Sequence, residues 1–304
     1  MAAQDVLFGI DLGGTKIEAV AMTPTGAVLS RPRVPTEREK GYNHIVGQIK
    51  KALDQVSAEV GIKPQKVGIG TPGAIDPPTG LMKNSNTTIL NGMPFHLDVE
   101  AALGIPVTMA NDANCFAIAE AKLGAAKAYA KDDHLIFGVI MGTGVGGGIV
   151  INGRIWIGTQ GIGGEWGHSF LDASGGPCYC GQIGCVETVI SGTGMERYYH
   201  EQSGTERKLH DIITEYKNGT TDQLVKQTVE RLIHFFGRGL ANIIDILDPT
   251  AVVIGGGLSK VDLLYTEGVA SIERQLFNPK LHTPILRPKL GDSAGVFGAA
   301  MLVS

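Results

Sequence analysis

Long apolar runs are missing from this 304-residue chain, and so is any run of basic residues. The first absence excludes a membrane-spanning helix, which needs about 20 apolar residues in succession. The second, with a formal net charge of -4, argues against a surface that coats nucleic acid. Cysteine is scarce: there are four, three of them between positions 178 and 185 and Cys115 alone. That distribution speaks against a disulfide framework and for a reducing compartment. The opening residues, MAAQDVLFGID, lack the basic and apolar parts of a secretory leader, so a cytoplasmic chain without membrane attachment is expected.

Several catalytic signatures are absent as well. There is no GxxxxGK[ST] phosphate loop, no HRD or DFG of the protein kinases and no GxSxG elbow of a hydrolase. A GxGxxG match at Gly142-Thr-Gly144-Val-Gly146-Gly147 runs into another apolar strand at 149–151, where a dinucleotide-binding unit needs a helix. Glycine, in contrast, is abundant at 43 residues, about twice the usual share. It clusters after apolar runs, as in turns that cradle phosphates. The hydrophobic content of 43% is ample for two cores.

The densest chemistry lies in residues 163–187, GGEWGHSFLDASGGPCYCGQIGCVE. His168, Cys178, Cys180 and Cys185 form a donor set that closes a tetrahedral zinc site, and the nearby glycines let the backbone curl around a metal. Glu165 and Glu187 bracket the four. The expectation is a structural zinc that pins a loop so that Glu165, His168 and Glu187 face a ligand.

In chain order, an apolar run over 6–10 ends at Asp11 and is followed by Gly13, Gly14 and Thr15; apolar residues resume over 16–22 and, past Pro24-Thr-Gly26, over 27–31. This pattern predicts three antiparallel strands, the first turn bringing backbone N–H groups and a hydroxyl to phosphate oxygens. Ile45, Ile49, Leu53, Val56 and Val60 share one face of a helix over 42–60, stopped by Gly61. Residues 67–70 read as a buried strand ending in Gly70-Thr-Pro-Gly73, at the carboxyl edge where open α/β sheets bind ligands. The polar stretch 76–95 reads as a long loop whose Asn84, Asn86 and Asn91 offer amides to hydroxyl groups. A short helix over 97–103 and a strand over 105–109 lead to Asn111 and Asp112, which open a helix running to about residue 126. Both residue types favour the N-cap. A carboxylate at a strand end also suits a general base for a hydroxyl, and the local sequence leaves both readings of Asp112 open.

The second half repeats the first. FGIDLGGTKIEAV from Phe8 aligns with FGVIMGTGVGGGI from Phe137, an offset of 129 residues (137 − 8); VGIGTPG from Val67 aligns with VVIGGGL from Val252, an offset of 185 (252 − 67). Two similar α/β lobes around a cleft are therefore expected, with the zinc segment inserted in the second. Helical segments through 201 and over 209–217 precede a long helix over 222–247, stopped by Asp248-Pro249. After a strand over 251–254, Gly255-Gly256-Gly257 leaves bare backbone for an adenine or its ribose. A last helix over 294–302 is expected to return to the first lobe. The expected division is a smaller lobe of 1–115 plus 293–304 and a larger one of 116–292.

Taken together, DLGGTK (11–16), GTPG (70–73), NDAN (111–114), the glycine signature from Met141 through GEWGH (164–168), CYCGQIGCVE (178–187) and IGGGLS (254–259) resemble the repressor–ORF–kinase (ROK) family of sugar kinases over nearly the whole chain. The resemblance implies the actin-like, ribonuclease-H-like ATPase fold and transfer of the γ-phosphate of ATP to the 6-hydroxyl of a hexose. It implies that Asp112 is the catalytic base and that Asn111, Glu165, His168 and Glu187, joined by Gly73 and Asn86, hold sugar hydroxyls. Gly13, Gly14, Thr15 and Lys16 match the first phosphate loop with Asp11 near magnesium, Thr143 and Gly144 the second loop, and Gly256 and Gly257 the adenosine site. His168 is implied to hold zinc through one ring nitrogen and a sugar hydroxyl through the other. A homodimer is implied, and no nucleic-acid partner: the family's repressors carry a DNA-binding extension for which a glycine loop at residue 11 leaves no room. Within the family, KNSNTTILNGMPF (83–95), Trp166 and NDANC resemble the fructokinase branch, including enzymes that accept mannose or glucose. Kinases of N-acetylated amino sugars more often have Phe in place of Trp166. Fructose is the expected acceptor, with glucokinase or N-acetylglucosamine kinase the alternative.

Overall fold

The computed structural model describes residues 6–130 and 134–304, so the start of the expected first lobe, residues 1–5, lies outside the described residues. Internal contacts divide the chain into one unit of Met1–Asp132, Gly148–Gly164 and Lys289–Ser304 and a second of Asp133–Gly147 and Glu165–Pro288. Among the described residues no helix is long and apolar enough to cross a membrane.

The strands of the first half are β1 (Leu7–Leu12), β2 (Lys16–Met22), β3 (Val28–Ser30), β4 (Arg33–Pro35), β5 (Val67–Thr71), β6 (Ala74–Ile75), β7 (Met82–Lys83) and β8 (Val107–Asn111). They build a sheet in the order β3-β2-β1-β5-β8, with β4 also on β2, and a separate β6-β7 ribbon. That ribbon, a 3₁₀ turn at Thr88–Leu90 and a helix starting at Phe95 give the expected 76–95 loop regular structure. The helices here are α1 (Tyr42–Val60), α2 (Phe95–Leu103) and α3 (Asp112–Lys122). As the spacing predicts, α1 buries Ile45, Ile49, Leu53 and Val56, and it ends where Gly61 takes φ +69°.

The second half holds β9 (Leu135–Met141), β10 (Val145–Ile151), β11 (Arg154–Ile155), β12 (Ala251–Gly255) and β13 (Ile285–Leu286), in the order β11-β10-β9-β12-β13. Its helices are α4 (Val186–Ile190), α5 (Gly192–Ser203), α6 (Leu209–Lys217), α7 (Gln223–Leu247) and α8 (Glu267–Gln275), followed by the C-terminal α9 (Ala294–Met301). Asp222 caps α7 by accepting the Leu224 and Val225 N–H groups at 2.8 and 3.3 Å. The repeat extends to strand register. In the first sheet Gly9, Ile10 and Asp11 face Gly68, Ile69 and Gly70 in parallel pairing; in the second, Gly138, Val139 and Ile140 face Val253, Ile254 and Gly255. These are the same pairs under the offsets of 129 and 185 residues.

Helix α9 lies flat against β1 and β5 because both strands present glycine to it. A Cβ on Gly68 would fall 1.8 Å from Ala299 O, and one on Gly298 would fall 1.8 Å from Cys115 O of α3. Gly68→Ala is accordingly expected to lower stability by about 1–3 kcal/mol or more, as overpacking against immovable backbone does; the shift of the urea unfolding midpoint measures it. The return of the chain is anchored by buried Glu120, which accepts N–H bonds from Ala125, Lys289 and Leu290 at 2.7–3.1 Å. This anchor, with the packing of Gly148 on Ala113 and Asn114, draws all of α3, residues 148–164 and residues from 289 into the first unit. The unit limits thus fall elsewhere than the 115/116 and 292/293 limits expected for the lobes.

Candidate active site and metal centre

In the first unit the β1–β2 turn is closed by the Gly13 N–H donating to Lys16 O at 3.0 Å and braced by the Thr36 hydroxyl donating to Gly13 O at 2.7 Å. Thr15 and Lys16 are exposed at its tip. The motif gave no hint of Arg38: a Cβ on Gly14 would lie 3.8 Å from its Nη1, so a guanidinium stands beside this loop. Asp11, at the end of β1, has its carboxyl pushed up to about 6 by burial first, then by the charges of Asp112 and Glu18.

Strand β8 hands over to α3 at Asn111 and Asp112, and the two open readings separate here. The N-cap is Asn111, whose Oδ1 accepts the Asn114 N–H at 2.8 Å. Asp112 is the first helical residue, and its Oδ1 accepts the Ala113 N–H at 2.8 Å. Its side chain is open to solvent, yet the protein massed around it raises the carboxyl above the usual value by desolvation. The Thr71 hydroxyl donates to Gly73 O at 2.8 Å and lies 3.2 Å from Ala110 O, tying the GTPG turn to the end of β8. Gly73 is needed for packing, since a Cβ there would fall 2.6 Å from Lys83 O. Asn86 is exposed. Asn91 is not available as the sequence suggested: its amide is held at both ends by the Ser85 backbone, at 2.8 and 3.0 Å.

In the second unit the β9–β10 turn holds Thr143 and Gly144. Gly142 donates to Gly144 O at 2.9 Å, and α5 braces the turn from behind through Gly192 N–H to Gly142 O at 2.7 Å and the Thr193 hydroxyl to Thr143 O at 2.6 Å. After β12, Gly256 takes φ +76° against Met141 O, and a Cβ on Gly257 would meet nothing within 4 Å, so that backbone is bare.

Glu165 leads into a 3₁₀ turn, Trp166–His168. Trp166 is only 4% exposed; its indole N–H donates to Gly146 O at 3.0 Å and its ring meets Phe137 edge-on. His168 and the three cysteines converge, their donor atoms all within 4.8 Å of one another. His168 Nδ1 is 3.6 Å from Cys178 Sγ, and Cys180 Sγ is 3.6 Å from Cys185 Sγ. A tetrahedron of zinc bonds near 2.3 Å to sulfur and 2.0–2.1 Å to nitrogen has edges of about 3.5–3.8 Å, so the donor set fits zinc. Burial first, then the neighbouring thiols, push the Cys185 thiol up to about 12, a penalty on its thiolate that a cation would relieve. Cys185 is also the N-cap residue of α4, and Glu187 in the first turn accepts the Val145 N–H at 3.0 Å. The metal loop, Glu187 and the second glycine turn are thereby one connected piece. The sequence missed Tyr179, whose hydroxyl is 2.9 Å from His168 Nε2 and whose phenol is pushed up to about 12 by burial, then by Glu187, Cys178 and Glu165.

The ROK family model matches residues 7–304. The chain belongs to the ROK family. An N-acetyl-D-glucosamine kinase of Aliivibrio salmonicida is 36% identical to this ROK chain over 305 residues, 97% of this chain and 98% of that protein. Among solved structures, the ROK hexokinase from Thermus thermophilus superposes with a TM-score of 0.87 at 31% identity, covering 98% of this chain and 97% of that one. A ROK glucokinase from Streptomyces griseus, solved with glucose and AMPPNP, gives 0.77 at 29% identity with 98% of both chains covered. The fold of this ROK chain is the actin-like ATPase fold implied by its motifs.

Proposed function

We propose that this chain transfers the γ-phosphate of ATP to the 6-hydroxyl of N-acetylglucosamine. By family and relatives it is an ATP-dependent sugar kinase. The acceptor is carried by one observation, the end-to-end likeness at 36% identity to kinases named for that sugar. Fructose, the acceptor expected from the sequence, is less well supported, and the alternative takes its place. Trp166 was the residue that counted against amino sugars, but its indole is buried on Phe137 and bonded to Gly146, so Trp or Phe at this position is a matter of packing. Much of the 83–95 segment is likewise structural, with Leu90 and Phe95 buried and Asn91 locked to Ser85.

In this reading Asp112 accepts the proton of the 6-hydroxyl as that oxygen attacks the γ-phosphorus. Asn111, Glu165, His168 and Glu187 hold the sugar's hydroxyls, with the Gly73 backbone and Asn86 beside them. The N–H groups of Gly13 and Gly14, the Thr15 hydroxyl and Lys16 take phosphate oxygens, as do Thr143 and Gly144; Gly256 and Gly257 take the adenosine. The residues suit magnesium near Asp11, where burial first and then the neighbouring carboxylates of Asp112 and Glu18 raise the cost of ionisation; bound there, the ion would supply charge neutralisation to the phosphates. His168, Cys178, Cys180 and Cys185 hold a structural zinc. A homodimer completes the proposal, and light scattering at twice the 32.0 kDa chain mass tests it.

Catalytic efficiency with N-acetylglucosamine, fructose, mannose and glucose, read as ADP release, decides the acceptor. Preference for fructose by more than about tenfold, a gap a single pocket contact can supply, overturns the amino-sugar reading. Trp166→Phe is expected to change the N-acetylglucosamine-to-fructose efficiency ratio by less than about threefold, since discrimination needs an altered contact to the sugar. The same substitution should lower thermal stability, because the carbonyl of Gly146 loses its donor.

A further inference from the structure

His168 has two ring nitrogens, and each already faces a partner within its own loop. Nδ1 stands 3.6 Å from Cys178 Sγ, while Nε2 is 2.9 Å from the hydroxyl of Tyr179. The two rings meet edge-on, with centroids 5.0 Å apart at 87°. Tyr179 is the residue between Cys178 and Cys180, so its backbone is set by the turn that presents both sulfurs. In that turn Gly181 N–H donates to Cys178 O at 3.0 Å and Cys178 N–H to Gln182 O at 2.8 Å. The residue is nevertheless 79% exposed. A large ring is left in water with its polar tip on a half-buried imidazole, and a hydrogen bond in that position exchanges readily because other hydroxyls compete for both ends.

The tautomer follows from the metal geometry. With the Nδ1 lone pair directed at the metal position, the ring proton sits on Nε2, so Nε2–H donates and Tyr179 Oη accepts. The phenol oxygen therefore accepts from the tautomer that the metal centre needs and fixes the ring's orientation. In the proposed function, on which this inference rests, the same Nε2–H serves a sugar hydroxyl. One N–H cannot serve two acceptors at full strength.

We propose that Tyr179 is a positioning residue that holds the place of a sugar hydroxyl on His168. In the sugar-free enzyme its Oη accepts the Nε2–H bond and fixes the imidazole for the metal; when sugar binds, a sugar hydroxyl takes over that N–H and the exposed phenol swings away. Tyr179 thus strengthens zinc retention in the empty enzyme and opposes sugar binding.

Tyr179→Phe tests this, because it keeps the ring on His168 and removes only the hydroxyl. Zinc retention is read by competition with a chromogenic chelator, without sugar and with saturating N-acetylglucosamine; sugar affinity is read by calorimetry without ATP. Without sugar the variant is expected to release zinc at least about tenfold more readily than wild type, the usual loss when a ligating histidine loses its outer partner. Saturating sugar restores retention, and the zinc-loaded variant binds sugar several-fold more tightly than wild type, since the two bindings are linked reciprocally. Unchanged zinc retention in the sugar-free variant overturns the positioning role. Weaker sugar binding by the variant makes Tyr179 a direct sugar contact and overturns the exchange. A wild type that binds neither N-acetylglucosamine nor fructose overturns the exchange together with the acceptor reading, while the sugar-free zinc measurement decides the positioning role by itself.

Discussion

Asp112→Asn is expected to lower kcat by at least ~10²-fold while sugar affinity stays within a few-fold, the signature of a lost general base. The substitution is well separated from folding. Asn111 caps α3, so the helix keeps its cap, and an amide oxygen at position 112 can still accept the Ala113 N–H that Asp112 accepts at 2.8 Å. Loss of the charge also removes a repulsion that helps to raise the Asp11 carboxyl. Thermal stability should therefore hold or rise while turnover collapses, and steady-state kinetics beside calorimetric sugar binding measure the split. Unchanged turnover removes Asp112 from the role.

The raised carboxyls also set the sign of the pH dependence. A base works ionised, so activity falls as pH drops through the raised pKa values. Asp11 is pushed up to about 6 from 3.8, and Asp112 is raised as well, mainly because the protein around its solvent-open carboxyl weakens its hydration. The acid limb of kcat/KM should therefore lie above the ordinary carboxylate range. Stability of the nucleotide-free enzyme runs the other way. The native state binds the extra protons, so this contribution is complete below about pH 4 and is lost as pH rises through about 6.

Local patterning made most of the fold legible, because strands, helices and glycine turns are fixed by neighbours a few residues away. The apolar spacing of α1 and the strand–turn–strand echo of Phe8 in Phe137 reappear as burial and as shared sheet register. The metal group was legible for a different reason: its four donors fall within 18 positions of one loop, and few other arrangements satisfy them. What stayed hidden depends on which of several equivalent polar groups finds which partner. Asn84, Asn86 and Asn91 are alike in sequence, yet only a Ser85 backbone at the right distance takes Asn91 out of use. Glu120 gave no sign that it would receive Lys289 and Leu290, because that bond joins residues far apart in the chain. Trp166 looked like a specificity residue while it stood in a motif, and its burial on Phe137 makes it part of the core.

Cys180→Ser is expected to abolish zinc binding and lower kcat/KM at least about tenfold, through a connection visible residue by residue. Cys180 is the exposed member of the donor set, so serine replaces it without opening a cavity, and the loss falls on the metal alone. A structural site with three donors left does not hold zinc at the concentrations that four secure, so bound metal should fall from about one ion per chain to about none. The thiols of Cys178 and Cys185 then lose the cation that ties them to His168, and the loop is left to short-range bonds such as Gly184 N–H to Gly176 O at 2.8 Å and the bridges at Phe170–Cys185 and Pro177–Ile183. Because Cys185 is the N-cap residue of α4, loosening it frees the turn that carries Glu187. Glu187 in turn releases the Val145 N–H, and with it the turn at Thr143 and Gly144. Sugar contacts and phosphate contacts should therefore fail together, raising KM for both substrates. Helix α7 keeps its own buried face of Val225, Val229, Leu232 and Phe236, so the far-ultraviolet circular dichroism should be preserved while protease cuts appear within 169–185. Metal analysis of the wild type is the decisive control: a zinc-free preparation with full activity would detach the metal centre from catalysis.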